Sequence, residues 1–205
     1  MPKVKLKARW EELEKRVGMP INWSTLESGY SRPQRHYHGL IPHIEQCLNE
    51  FDIVKHLVKN NDELEIALWF HDIVYDPTRQ DNQERSFGLL EVLTNGNKSL
   101  FFMKENIHRY ILATKHNAVS EDMDSKLIAD IDLSILGKPH EEFLKYEHEI
   151  KEEYKHIAPE DFKKGRAVIL QRFLDRKDIY QTEFFRKKYE ERARTNLNES
   201  LKKLK

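Results

Sequence analysis

The chain has 205 residues and balances 35 Lys and Arg against 35 Asp and Glu, for a formal net charge of zero. Bulk electrostatics therefore supply no drive toward an extended nucleic-acid surface or an anionic membrane, and leave room only for a local basic pocket. The length suits one domain with its own core, expected to span 1–205. The basic start from Met1 to Lys7 lacks the apolar centre of a signal peptide and no run reaches transmembrane length. A lone cysteine, Cys47, at an apolar helical position adds to the expectation of a reduced, cytoplasmic setting.

Only 7 glycines and 7 prolines interrupt the chain, and apolar residues recur at helical spacing while strand-like alternation is scarce, so the fold class expected is all-α. A first helix is predicted to begin near Arg35 or Ile41, with Ile44, Cys47, Leu48, Phe51, Val54, Leu57 and Val58 on one face. Asn61 with Asp62, Glu63 and Glu65 reads as a capped helix start leading into the apolar run Ile66 to Phe70, which ends at His71-Asp72. The stretch from Asp76 to Asn82 reads as a turn, followed by a helix from about Gln83 to Leu93. Another helix carries Phe102, Ile107, Tyr110 and Ile111, and a further one runs from Ser125 to Leu136 and stops at Gly137 as a glycine cap. Pro139 and Pro159 each precede acidic pairs and open two more helices. The segment 181–205 spaces Phe185, Tyr189, Ala193, Leu197, Leu201 and Leu204 in one stripe, predicting a long C-terminal amphipathic helix that packs on the core or on a second subunit. Trp10, Trp23 and Trp69 read as core or pocket wall rather than as a base-stacking surface.

Ionisable side chains at the end of a buried helix need compensation, and a divalent cation supplies it for His71-Asp72. Further ligand types flank this pair. Upstream stand His36, His38 and His43; downstream, Asp130 and Asp132 lie in an apolar run. Two nitrogen donors and two carboxylates from three segments form the base of an octahedral site with about two positions left for water and substrate.

The order His, His-Asp, Asp on a helical background resembles the HD superfamily of metal-dependent phosphohydrolases. More narrowly it resembles a subgroup of uncharacterised bacterial proteins described as predicted metal-dependent HD phosphohydrolases. The strings that carry this likeness are Tyr30-Ser31-x-Pro33, Arg35-His36-Tyr37-His38, Phe70-His71-Asp72-x-x-Tyr75-Asp76, Asp81-Asn82-x-Glu84-x-Ser86, Ile111-x-Ala113-Thr114-x-His116 and Glu191-x-Ala193-Arg194-x-Asn196-Leu197. The likeness implies an HD-type helical bundle and a metal set of His38, His71, Asp72 and Asp132. His36 falls outside that set, His43 lines the site or orients a ligand, and Asp130 pairs with a nearby base. Two departures stand out: Gln83 occupies a place where the subgroup carries glutamate, and the spacing from His38 to His43 is one residue longer than usual, with Pro42 as the insertion.

The activity implied is attack of a metal-activated water on a phosphate ester of a small phosphorylated compound, a nucleotide being one candidate. Asp72, Glu84 and His116 are the catalytic candidates, with His116 also a candidate for a second metal. Arg35 and Lys115 are candidates to balance phosphate charge, with His43 beside them in the substrate site. The ion is a divalent metal drawn from Mn, Fe, Co, Ni, Mg or Zn. The Glu191 to Leu197 string reads as helix packing. The alternative, from another class, is a non-catalytic metal- or nucleotide-binding regulatory or scaffold module, with the C-terminal helix joining a homo-oligomer.

Overall fold

The computed structural model describes residues 2–204, and among them it contains eleven α-helices and no β-strand. In chain order these are α1 (Pro2–Val17), α2 (Trp23–Tyr30), α3 (Glu45–Val54), α4 (Asn61–Phe70), α5 (Asn82–Leu93), α6 (Lys98–Phe101), α7 (Lys104–Ala113), α8 (Met123–Asp132), α9 (His140–Glu153), α10 (Pro159–Leu174) and α11 (Glu183–Leu204). Among the described residues no helix is long and apolar enough to cross a membrane.

Helix α4 is the centre of the molecule. Every residue from Leu64 to Phe70 is buried, as expected of a helix that is apolar on all sides and surrounded by others. It packs on α3, α5, α7 and α8. Its one buried charge, Glu65, accepts a 2.6 Å hydrogen bond from Arg9 of α1, so the exception is paired. The N-terminal end is capped from a distance: Asp124 accepts from the backbone amides of Lys59 and Asn60, both at 2.9 Å.

Helix α1 is an element for which the sequence reading proposed no structure. Leu6, Trp10, Leu13 and Val17 lie at alternating spacings of four and three and are buried. Trp10 meets Trp69 edge to face at 5.6 Å, and Trp23 meets the same ring at 6.3 Å, so the three tryptophans form core. The stripe of α11 is buried on its own chain, against α10 and the 3-10 turn Leu133–Gly137. Gly137 is needed there for contact rather than for a cap: an added Cβ would stand 2.4 Å from Tyr189 Cβ. Arg194 donates to the carbonyls of Leu174, Arg176 and Lys177, and Asn196 to those of Leu136 and Lys138. The Glu191 to Leu197 string is thus a clasp between α11 and its neighbours.

Between α2 and α3 the chain does not run straight into a helix. Leu40–Ile44 forms a wide turn in which Ile44 N donates to Gly39 O across five residues and Ile41 is extended, with φ −129° and ψ 126°. A turn of this width closes over five residues rather than four, so His38 and His43 do not keep α-helical phase.

Candidate metal centre

Three chain segments end at one point. His71 terminates α4, and Asp72 follows it. Asp132 is the last residue of α8, and His43 lies in the wide turn one residue before Ile44, which leads into α3. Both carboxylates therefore stand at helix C-termini, where the macrodipole already disfavours negative charge. A cation between them offsets both effects.

The donor atoms are close-set. His43 Nε2 lies 2.9 Å from His71 Nε2, 3.2 Å from Asp72 Oδ2 and 3.4 Å from Asp132 Oδ1. His71 Nε2 lies 3.4 Å from Asp72 Oδ2 and 3.5 Å from Asp132 Oδ1. Two ligands bound about 2.1 Å from one ion are themselves separated by roughly 3.0 Å in octahedral and 3.4 Å in tetrahedral geometry. The observed separations fall in that range. His71, Asp72 and His43 are buried, while Asp132 is partly exposed.

The outer ring atoms fix the direction of the inner ones. His71 Nδ1 lies 3.0 Å from the carbonyl of Leu68, which can only accept, so Nδ1 carries a proton and donates. In the neutral ring Nε2 is then a lone pair. His43 Nδ1 is held at 3.1 Å by the Tyr37 hydroxyl, and the tautomer donating to that oxygen likewise turns an Nε2 lone pair inward. Two lone pairs and two carboxylates converging on one buried point repel one another unless a cation or a proton is shared among them.

Protonation follows the same field. Burial opposes a charge on His71, but Asp72 and Asp132 outweigh it and raise its pKa to about 9. Burial works against ionisation of Asp72, yet His71 and His43 hold its pKa far below the carboxylate range. Asp132 is likewise depressed against its burial, by His116 and His71. For His43 burial prevails over the carboxylates and its pKa falls. One imidazole thus takes the place of a cation in the field of the two carboxylates.

Cys47, an apolar helical position in the sequence, adjoins this cluster. Its thiol lies 3.8 Å from His43 Nδ1, and donor atoms of His43, Cys47, His71 and Asp132 lie within 4.8 Å of one another, so these four residues could hold a metal ion. The signal was available: His43-x-x-x-Cys47 is a spacing of one helical turn. Burial, followed by Asp132 and Asp72, pushes the thiol pKa well up, which opposes the thiolate that coordination requires.

Most of the remaining residues of the sequence-derived set do not join the donor cluster. The His38 ring does not join the four-donor cluster; its Nδ1 lies 2.6 Å from Glu153 Oε2 and its ring stacks on Tyr75 at 4.3 Å. Glu153 was missed. It is buried at the end of α9 and accepts from the backbone amides of His36, Tyr37 and His38 at 2.8 to 2.9 Å and from the Tyr75 hydroxyl at 3.0 Å. Arg35 spends its guanidinium on the carbonyls of His38, Asp72 and Ile73, and so braces the backbone around the cluster. Glu84 is exposed and paired with Lys115, and neither lines the cavity beside the four donors. Gln83 does line it. Asp130 pairs with no base among the described residues; it accepts from Gln181 N, Thr182 N and Thr182 Oγ1, each at 2.7 Å. Asn82 and Ser86 bind the backbone of Asp76 and Val74, which holds the segment after His71-Asp72.

His116 is brought to the site. Its Nε2 lies 2.7 Å from Asp132 Oδ2, and its Nδ1 is buried with no partner. The residue adopts a left-handed φ of 54°, a conformation that a side chain other than glycine rarely takes, and Arg176 donates to its carbonyl. His116, Asp72, Asp132, Gln83 and Arg172 share a cavity of about 240 Å³. Arg172 is exposed and has no carboxylate partner among the described residues. No protein-family model, curated protein or solved structure matches this chain, so the likeness to HD phosphohydrolases rests on its motifs.

Proposed function

We propose that the chain is a metal-dependent phosphohydrolase of the HD type acting on a small phosphorylated compound. The observation that carries this reading is the convergence of His43 Nε2, His71 Nε2, Asp72 Oδ2 and Asp132 Oδ1 beside a cavity. These four residues would hold a divalent ion, with His43 in the place that the motif likeness gave to His38. When bound, such an ion supplies polarisation of a phosphoryl oxygen and an activated water at neutral pH.

The chain's own groups serve the rest of the reaction. His116 lines the cavity and holds Asp132 through Nε2, so it would orient that carboxylate and share a proton with it. Arg172, at the cavity wall, replaces Arg35 and Lys115 as the cation facing phosphate. Gln83 lines the wall without a charge and orients rather than titrates. Cys47 sits behind His43 and supports its orientation.

Metal content of the purified protein, together with phosphate release from a panel of nucleotides and phosphomonoesters by wild type and Asp72→Ala, tests the proposal. Wild type should carry about one ion per chain or gain activity with added metal, and Asp72→Ala should lose both. A protein that holds no metal and gains no activity when metals are supplied would refute it.

A further inference from the structure

A second cavity of about 280 Å³ adjoins the metal-site cavity, and the two share His38, Tyr75, Tyr146, Arg166 and Ile169 in their walls. They are neighbouring compartments, an inner and an outer end, with unlike linings. The inner end holds the carboxylates, His116 and Arg172. The outer end is walled by Tyr75, Tyr146, Ile150, Tyr154, Phe162 and Ile169.

Several polar atoms of the outer end are engaged within the protein. The Tyr75 hydroxyl donates to Glu153 at 3.0 Å, the Tyr146 hydroxyl accepts from Arg166 at 2.9 Å, and the same guanidinium is paired with Glu147. Ring faces and aliphatic carbon make up most of what remains for a ligand, with His38 Nε2 and the Tyr154 hydroxyl at its margin. A polyol placed there would leave water and meet few hydrogen-bonding partners, whereas a flat ring gains stacking and edge contacts.

We infer that the outer cavity is the subsite for the organic part of the substrate, and that the substrate class is a phosphate ester of an uncharged aromatic or heteroaromatic group. This rests on the phosphohydrolase reading for the placement of phosphate at the inner end. Gly165 offers a clean way to block the subsite. It lies inside α10 on the cavity wall, and a Cβ there would meet no atom within 4 Å, so a larger residue fills space without removing a contact.

The test is equilibrium binding of phenylphosphonate, cyclohexylphosphonate and methylphosphonate, none of which the enzyme can hydrolyse, to the protein as purified. Wild type should bind the phenyl compound at least about tenfold more tightly than the methyl compound, as a stacked ring contributes, and more tightly than the cyclohexyl compound. Gly165→Phe and Phe162→Ala should each bring the phenyl affinity to within about threefold of the methyl affinity and leave methylphosphonate binding unchanged. Phenyl and methyl compounds bound alike by wild type, cyclohexyl bound as tightly as phenyl, a preference that survives both substitutions, or no binding of any phosphonate would overturn the inference. Phosphate release measured on the same preparations separates the two readings. Aromatic preference without hydrolysis removes the hydrolase and keeps the subsite, and hydrolysis without the preference does the reverse.

Discussion

Asp130 and Asp132 stand two residues apart on α8, and their surroundings differ in kind. Around Asp130 every neighbour is a donor: two backbone amides and a hydroxyl, all at 2.7 Å. The region around Asp132 instead brings together another carboxylate and ring nitrogens at the negative ends of two helices. A buried acid surrounded by donors has its hydrogen bonds complete and holds structure, here the entry to α11. A buried acid among other acceptors is incomplete without a cation. Residue type is shared, Asp130 is fully buried and Asp132 partly exposed, and the character of the partners separates the structural acid from the candidate ligand.

The comparison breaks most directly at the metal. Asp132→Ala and His43→Ala should each abolish stoichiometric metal binding, read by elemental analysis, and lower phosphate release by at least about a hundredfold. Wild type at a metal concentration near 100 Kd should gain about 2.7 kcal/mol of stability, a gain that both variants should lack and Asp130→Asn should retain. A metal-loaded Asp132→Ala protein would erase the distinction.

Asp130→Ala should cost roughly 2–4 kcal/mol in denaturant unfolding, because it strands buried donors, while the metal content stays at wild-type level. The same acid predicts a pH effect. Burial raises the Asp130 pKa from 3.8 to about 6 in the folded protein, so the native state binds a proton more readily than the unfolded chain between those values. Its contribution to stability is full below about pH 4 and declines as pH rises to about 6. Asp130→Asn should remove that component of the slope, and an unchanged slope would contradict the assignment.

His38→Ala comes next. Removing the ring partner of Glu153 should cost about 1–2 kcal/mol and leave the metal in place. Loss of metal here with retention in His43→Ala would return His38 to the ligand set. Cys47→Ser should have the smallest effect, about 1 kcal/mol or less for a near-isosteric change at a buried site, with metal retained. The cobalt-substituted wild type should lack a thiolate charge-transfer band in the near ultraviolet; its presence would make Cys47 a ligand.

Much of this organisation was legible before any coordinates. The all-α class, the helices after Pro139 and Pro159 and the stripe of α11 appear where apolar period and caps predict them, whereas α4 ends at Phe70 rather than running on to Pro77. Local patterns of this kind are set by neighbours within a few residues, so they survive folding unchanged. Helix α1 escaped because a strongly charged sequence dilutes its apolar spacing, although Trp10 and Leu13 are fully buried. Gly137 resembles a terminal cap in sequence, while its actual constraint is the Tyr189 ring from 52 positions away.

His71-Asp72 stands out in the sequence because it ends an apolar run, where an ionisable group needs a partner, and Asp132 because the motif likeness points to it. Tertiary structure decided the rest. The wide turn at Leu40–Ile44 breaks helical phase between His38 and His43, so counting residues cannot say which imidazole points inward. Folding aims His43 at the carboxylates and gives His38 to Glu153, an acid 115 residues away. It also ties Glu84 to Lys115, commits Arg35 to backbone carbonyls and leaves Gln83 and Arg172 on the cavity wall. A side chain's type fixes what it can coordinate. Where it points depends on packing between distant segments, and that direction separates a ligand from a brace.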